Sequence, residues 1–381
     1  MTASTAAPET IQKPHKHHIL GLRKSDLVEE LLSIGVPEKK ARYHSRQIFH
    51  WLYQRKVTTF EMMTDLSKLV RGHLAEKFQI APLPKVFHQK SIDGTQKFLF
   101  RLYDGKTIES VLIPAEDRLT ICISSQVGCA MGCKFCLTGT MGLMRNLEVY
   151  EIVGQVLELS KLETISNIVF MGMGEPLHNL ENVCRAIEIL LAQDALNFSK
   201  RKVTVSTSGL VSAIRKMNDR LVGESRPNLA ISLNGSYDAQ REEVMPVNKA
   251  FPIADLLEAC RDWHLEPHRR ITFEYVVLGG LNDTVEDAAR VTKLLRGIPC
   301  KVNLIPYNPH DGSDYKRPEH EAVLAMHRYL LDHDIAAMIR HSRGRDILAA
   351  CGQLRSAVDA VARTRPHIAI ADCNDGRVIG A

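Results

Sequence analysis

From about residue 118 onward, short apolar runs alternate with longer stretches whose apolar residues recur every three or four positions. The runs are RLTICIS, SNIVFMG, KVTVST, NLAISL, RITFEYVVL and KVNLIPY, and between several of them lie EVYEIVGQVLELSKL, ENVCRAIEILLAQD, ADLLEACRDWH and EDAARVTKLLRG. Strand-like runs separated by amphipathic helices predict parallel βα units in an α/β fold. Six such units in roughly 190 residues suit a partial (β/α)6 barrel, short of the eight units of a full one; a doubly wound sheet is the alternative. The run AAMIRHSRG is a candidate further strand that leads into DILAACGQL.

Ahead of the barrel the pattern differs. KVFHQKSIDGTQKFLFRLYDGKTIESVLIP alternates around two Asp-Gly turn signals and predicts a small antiparallel meander. Residues 22–80 read as short helices; in SDLVEELLSIG, Ser25 is the expected N-cap and Gly35 the stop. In KKARYHSRQIFHWLYQRK, Phe49, Trp51 and Tyr53 are interleaved with basic residues, which suits stacking on nucleic acid, but their helical spacing favours a place in the core. The expected organisation is therefore a disordered tail (1–20), a basic helical accessory domain (21–82), a β-meander extension (83–117), the barrel (118–345) and a C-terminal segment (346–381) of helix and polar tail.

Charge adds a partner. Residues 1–80 hold thirteen Lys/Arg against eight Asp/Glu, a net +5 that equals that of the whole chain, so the remainder is neutral. A basic module beside a neutral body predicts a polyanionic partner, with a solvated helical surface as the plain alternative. No apolar stretch has the length of a membrane span and the N-terminus has no apolar signal core, so a cytoplasmic protein is expected. Nine cysteines then argue for metal or redox chemistry at a few of them rather than a disulfide framework. Cys184, Cys260 and Cys300 sit in apolar segments and read as buried packing residues, and Cys373 has no assignable role.

The polar and glycine-rich strings follow the strands: QVGCAMGCKFC after the first, MGEP after the second, STSG, LNGS, and YNPH after the sixth. In a barrel those loops meet at one mouth, where activity resides. Cys129, Cys133 and Cys136 supply three thiolates at short spacing, one short of a tetrahedral site. Structural zinc would enlist Cys122 as fourth ligand, but it draws its ligands from two separated knuckles, and here there is one compact group. An iron–sulfur cluster with one iron left open is the better reading.

CxxxCxxC after the first barrel strand resembles the radical S-adenosylmethionine (SAM) enzymes, and MGMGEP looks like their glycine-rich SAM-binding element. IESVLIP, CISSQVGCAMGCKFC, FMGMGEPLHN, VTVSTSG, LAISLN, NLIPYNP and AACGQL together resemble the RlmN/Cfr group of RNA adenosine methyltransferases over nearly all the chain. That resemblance implies a [4Fe–4S] cluster on Cys129, Cys133 and Cys136, and SAM contacts from Gly174, Glu175, Ser206, Ser232, Leu233, Asn234 and Asn308. Many relatives carry His where this chain has Asn234. The resemblance further implies that Cys351 is methylated as an intermediate, that Cys122 is the resolving thiol with which it forms a disulfide, and that Glu109 accepts a proton. Carbon 2 of adenine is not nucleophilic, so a covalent relay through cysteine, using two SAM molecules, replaces direct displacement. The implied substrate is an adenosine of 23S rRNA and, in some members, the adenosine 3′ of the tRNA anticodon. The implied partners are a reductant such as flavodoxin or ferredoxin; a monomer is expected. The Cfr-type alternative methylates carbon 8, and a rival of another class is a non-catalytic, zinc-stabilised RNA-binding protein. Arg340, Arg343 and Arg345 beside Cys351 suit an entering RNA strand or a plain surface cluster.

Overall fold

The computed structural model describes residues 16–310 and 312–354, together with the backbone of 370–371 and 378–379. The chain divides after Pro82 into two compact units. In the first, a short parallel pair, β1 (His17–His18) and β2 (Phe78–Gln79), accompanies three helices, α1 (Lys24–Ser33), α2 (Glu38–Phe49) and α3 (Lys68–Lys77). Order begins earlier than expected: Ile19 and Leu20, assigned above to a tail, are buried, because this apolar pair completes the helical core. Helix α1 also starts before the expected cap. Ser25 lies inside it, and the Asp26 carboxylate accepts the Arg23 N–H at 2.8 Å. Gly35 ends it as expected, left-handed at φ 80°. Helix α2 runs on into a π-helical turn at His50–Gln54. There Phe49 and Tyr53 are buried edge to face at 5.1 Å, so the core reading holds for both. The exposed residues of α2 are Glu38, Lys39, Lys40, Arg42, Tyr43 and Arg46, and Glu38 pairs with Arg42 at 2.6 Å.

The second unit is built on one ten-stranded mixed sheet. The meander β3 (Lys85–Lys90), β4 (Gln96–Arg101) and β5 (Thr107–Ala115) pairs antiparallel throughout, and β5 then pairs antiparallel with β6 (Arg118–Cys122). The extension is thus continuous with the barrel sheet. A hairpin, β7 (Gln126–Gly128) and β8 (Leu143–Asn146), holds α4 (Leu137–Thr140) in its connection. The parallel strands after β6 are β9 (Asn167–Phe170), β10 (Val203–Thr207), β11 (Asn228–Ser232), β12 (Ile271–Val277), β13 (Cys300–Pro306) and β14 (Ala336–Ile339). Six strands were expected from the clear runs; the candidate run at 336–339 makes a seventh at the sheet edge. Helices α5 (Val149–Leu159), α6 (Leu180–Leu191), α7 (Val211–Arg220), α8 (Asp238–Val244), α9 (Ile253–Asp262), α10 (Val285–Leu294) and α11 (His320–Asp332) connect them. All residues of β12 are buried, as in a parallel strand covered on both faces. Cys184, Cys260 and Cys300 are buried as expected. The tail over 1–15, the C-terminal helix and Cys373 lie outside the described residues.

Two features position the mouth. Arg145 on β8 bonds Asp104 at 2.8 Å and Glu151 of α5 at 2.7 Å, fixing the hairpin between the meander and the first barrel helix. The β3–β4 turn grips the segment that leads to Cys351. Asp93 accepts the Gly344 N–H at 2.9 Å, Ser91 donates to Asp346 at 2.5 Å, and Lys97 reaches the Leu348 carbonyl at 3.4 Å.

Burial opposes ionisation of Asp93, but the N–H donors of Gly344 and Thr95 outweigh it and bring its pKa from 3.8 down to about 2. A depressed carboxylate stabilises the fold above its unfolded pKa and loses that contribution as pH falls through its folded value. Asp93→Ala is therefore expected to cost on the order of 1 kcal/mol near neutral pH, after allowance for solvent screening. The difference from the parent chain should vanish between about pH 4 and 2 in denaturant titrations. Hydrogen exchange should show faster exchange across 344–353.

Candidate active site

The strand C-termini open on a cleft of about 170 Å³. Cys129, Cys133, Cys136 and Cys351 all line it. The cysteine loop is pinned by its backbone: Cys129 N–H donates to Gly142 O at 2.9 Å, Lys134 N–H to Val244 O at 3.0 Å, and Leu137 N–H to Gly352 O at 2.7 Å. Gly139 must lack a side chain, since a Cβ there would stand 2.8 Å from the Cys133 carbonyl. The three thiols are forced toward the neutral form. Burial pushes Cys129 up to about 12, with Glu175 and Cys136 adding to the effect. Cys133 and Cys136 are raised by burial first and then by neighbouring thiols. Such a set discharges its protons only to a cation that accepts several thiolates. Among the described residues no three Cys, His, Asp or Glu side chains gather closely enough for a single metal ion.

Opposite the loop, the β9 exit forms a cradle. A Cβ on Gly172 would stand 2.7 Å from the Ile123 backbone, and one on Gly174, at φ 96°, 2.4 Å from Gln126. Glu175 lines the cleft, with its carboxylate oxygens accepting the Leu177 N–H at 3.0 Å and the Ser208 N–H at 2.7 Å. Burial raises its pKa against these donors. Ser206, Ser232, Asn234 and Asn308 line the same space. Leu233 does not: it is fully buried, its N–H donating to Glu274 O and its carbonyl accepting from Arg241. Asn234 adopts the left-handed region at φ 53°, and its side-chain oxygen accepts the Val276 N–H at 2.7 Å. A contact from its amide oxygen is thereby already committed to the fold.

Cys351 is exposed, whereas Cys122, at the end of β6, is buried outside the cleft lining. Burial, then the charge of Cys351, pushes Cys122 up to about 12. Arg340 links the two. It lines the cleft 3.7 Å from Glu274, and the neighbouring Cys351 first, then Glu274, raise its pKa against the cost of burial. Arg340 is thus part of the site, while Arg343 and Arg345 are exposed. Glu109 is buried, ion-paired with Lys97 at 3.2 Å, and does not line the cleft.

Sequence reasoning missed Glu274. One of its oxygens accepts from Asn303 at 2.9 Å; the other is buried without a partner and faces the cleft. A lone carboxylate inside the apolar run ITFEYVV was the available signal. The donor set of three thiols, the side-chain-free cradle and this orphaned oxygen together fit a cluster and a polar organic cofactor.

Comparison with known proteins agrees with this geometry. The sequence pattern of the Radical SAM superfamily matches residues 123–292, and that of the ribosomal RNA large subunit methyltransferase N-terminal domain matches 18–80. The chain is 52% identical over 343 residues to the dual-specificity RNA methyltransferase RlmN of Geobacter sulfurreducens, covering 90% of this chain and 93% of that protein. It is 47% identical over 375 residues to RlmN 2 of Myxococcus xanthus, covering 95% and 98%. A crystal structure of a radical SAM methyltransferase from Sphaerobacter thermophilus matches with a TM-score of 0.81 at 43% identity, covering 89% of this chain and 99% of that one. With the cysteine triad, the glycine cradle and both sequence patterns present in one chain of matching length, this protein belongs to the RlmN family of radical SAM RNA methyltransferases.

Proposed function

We propose that this enzyme methylates carbon 2 of an adenosine in 23S rRNA and of the adenosine 3′ of the anticodon in tRNA, with Cys351 carrying the methyl group. The observation that carries this reading is the convergence on one cleft of the cluster thiols and an exposed Cys351. Cys129, Cys133 and Cys136 would hold the [4Fe–4S] cluster. Gly174, Glu175, Ser206, Ser232, Asn234 and Asn308, with the backbone of Leu233, would contact SAM. When bound, cluster and SAM supply the methyl group and the radical that activates it.

The chain's own residues do the rest. Cys351 holds the one-carbon unit as a thioether while it becomes bonded to the adenine ring. The ring proton passes to Glu109, which pairs with Lys97 at 3.2 Å, as the adduct radical gives up one electron that the cluster would take back. Cys122 then attacks the Cys351 sulfur. The sulfur–carbon bond breaks, its electron pair leaves with the carbon, and that carbon takes a proton to become the methyl group. A Cys122–Cys351 disulfide remains for cellular thiols to reduce. Burial of Cys122 keeps it a thiol until the adduct forms.

We assign the rest of the RNA to α2, whose exposed Lys39, Lys40, Arg42 and Arg46 meet phosphates, with Tyr43 available for stacking. No helix among the described residues is long and apolar enough to cross a membrane. We place the enzyme in the cytoplasm as a monomer, served by a flavodoxin or ferredoxin. The target base must leave its stack, at a cost of a few kcal/mol.

The deciding experiment is mass spectrometry of rRNA and tRNA from cells lacking and expressing this chain: 2-methyladenosine is expected, and 8-methyladenosine would identify the Cfr-type reaction instead. Cys351→Ala is expected to abolish methyl transfer, by more than a thousandfold, with iron and sulfide content unchanged. Cys122→Ala should accumulate protein covalently bound to RNA, visible on denaturing gels and sensitive to ribonuclease. Replacing Lys39, Lys40, Arg42 and Arg46 by Ala should weaken RNA binding tenfold or more at low salt and flatten its salt dependence, leaving SAM binding unchanged.

A further inference from the structure

Arg241 is fully buried, and every hydrogen bond it makes is to a neutral acceptor. Its Nε donates to Leu233 O at 3.0 Å, one terminal nitrogen to Asn248 Oδ1 at 2.8 Å, and the other to Ser208 O at 2.5 Å and Ser232 O at 3.2 Å. None of these is a carboxylate. Asp238, one turn earlier on α8, spends its Oδ1 on the Ile253 N–H and the Asn248 amide instead. A buried guanidinium without an anion is costly, and such a charge persists where an anion outside the polypeptide offsets it.

The surroundings identify that anion. Cys133 packs against an apolar cluster that includes Val244 and Met245, at the end of α8, the helix that carries Arg241. The next residue, Lys134, donates its N–H to Val244 O at 3.0 Å. On the other side, the guanidinium lies 3.0 Å from where a Cβ on Gly209 would stand, directly beneath the STSG loop of the cleft. Arg241 thus bonds the loops carrying Ser208 and Ser232 from a helix whose end meets the cysteine loop at Val244. Three thiolates outweigh the charge of an oxidised four-iron core, so the loaded centre is anionic and becomes more so on reduction.

We propose that Arg241 is the counter-charge of the metal centre: its guanidinium raises the reduction potential of the cluster held by Cys129, Cys133 and Cys136, easing entry of the electron that starts the reaction. This rests on the assignment of those cysteines as cluster ligands. Arg241 touches neither substrate nor reacting atoms; it acts through the field it exerts.

The test compares the full-length, anaerobically reconstituted protein with Arg241→Lys, Arg241→Gln and Asn248→Ala. Asn248→Ala removes one of the same hydrogen bonds but keeps the charge. Iron and sulfide are measured first: a parent protein that holds neither refutes the ligand assignment itself. Reduction is then followed by electron paramagnetic resonance against a series of poised potentials. Arg241→Gln is expected to lower the ratio of reduced to oxidised cluster at fixed potential at least tenfold, a shift of about 59 mV for one electron. Arg241→Lys and Asn248→Ala should stay within about threefold of the parent, or roughly 30 mV on the same scale. Loss of the cluster from Arg241→Gln while Asn248→Ala retains it also supports the charge requirement. Parent-like potential in Arg241→Gln, equal shifts in all three variants, or loss of the cluster from both Arg241→Gln and Asn248→Ala overturns the proposal.

Discussion

Three thiols buried beside one another resist losing their protons, and the site is organised around that resistance. Burial and mutual repulsion hold Cys129, Cys133 and Cys136 toward the neutral form. Only a multivalent cationic centre repays their ionisation. The backbone of the loop is bonded to three different places: the Gly142 turn, the end of α8 and the Cys351 segment. The last of these matters for chemistry. The bonds from Leu137 N–H to Gly352 O and from the Thr138 hydroxyl to Leu354 O hold the Cys351 segment beside the cluster loop.

The ten-stranded sheet makes this arrangement cooperative. Because β5 pairs with β6, the meander that carries Glu109 and Lys97 is part of the same hydrogen-bonded surface as Cys122. The β3–β4 turn reaches from that surface to Gly344 and Asp346, so the segment bearing Cys351 is held from both ends. The two thiols of the proposed relay differ in environment: one is exposed at the cleft, the other buried behind it. That difference suits one to be loaded and the other to wait.

Much of this was legible in the chain. The βα alternation, the glycine stop at Gly35, the core role of Phe49 and Tyr53, and the buried packing of Cys184, Cys260 and Cys300 follow from periodicity and composition, since these are decided by local preference and by partition from water. Local chemistry misled at Ser25, because the competing Asp26 carboxylate was better placed to take the Arg23 N–H. The tail boundary failed because burial of Ile19 and Leu20 depends on a strand some sixty residues away, Phe78–Gln79. The seventh strand was only a candidate because AAMI is short and is specified by the pairing edge of β13.

The sequence by itself determined the elements, the chemistry of the triad and the family, because residue types at fixed spacing along one loop carry that information locally. Only the tertiary structure decided which charges surround the cleft. Glu274, Arg340 and Arg241 come from separate strands and a helix, and their roles arise from desolvation and proximity, quantities that no single stretch of chain contains.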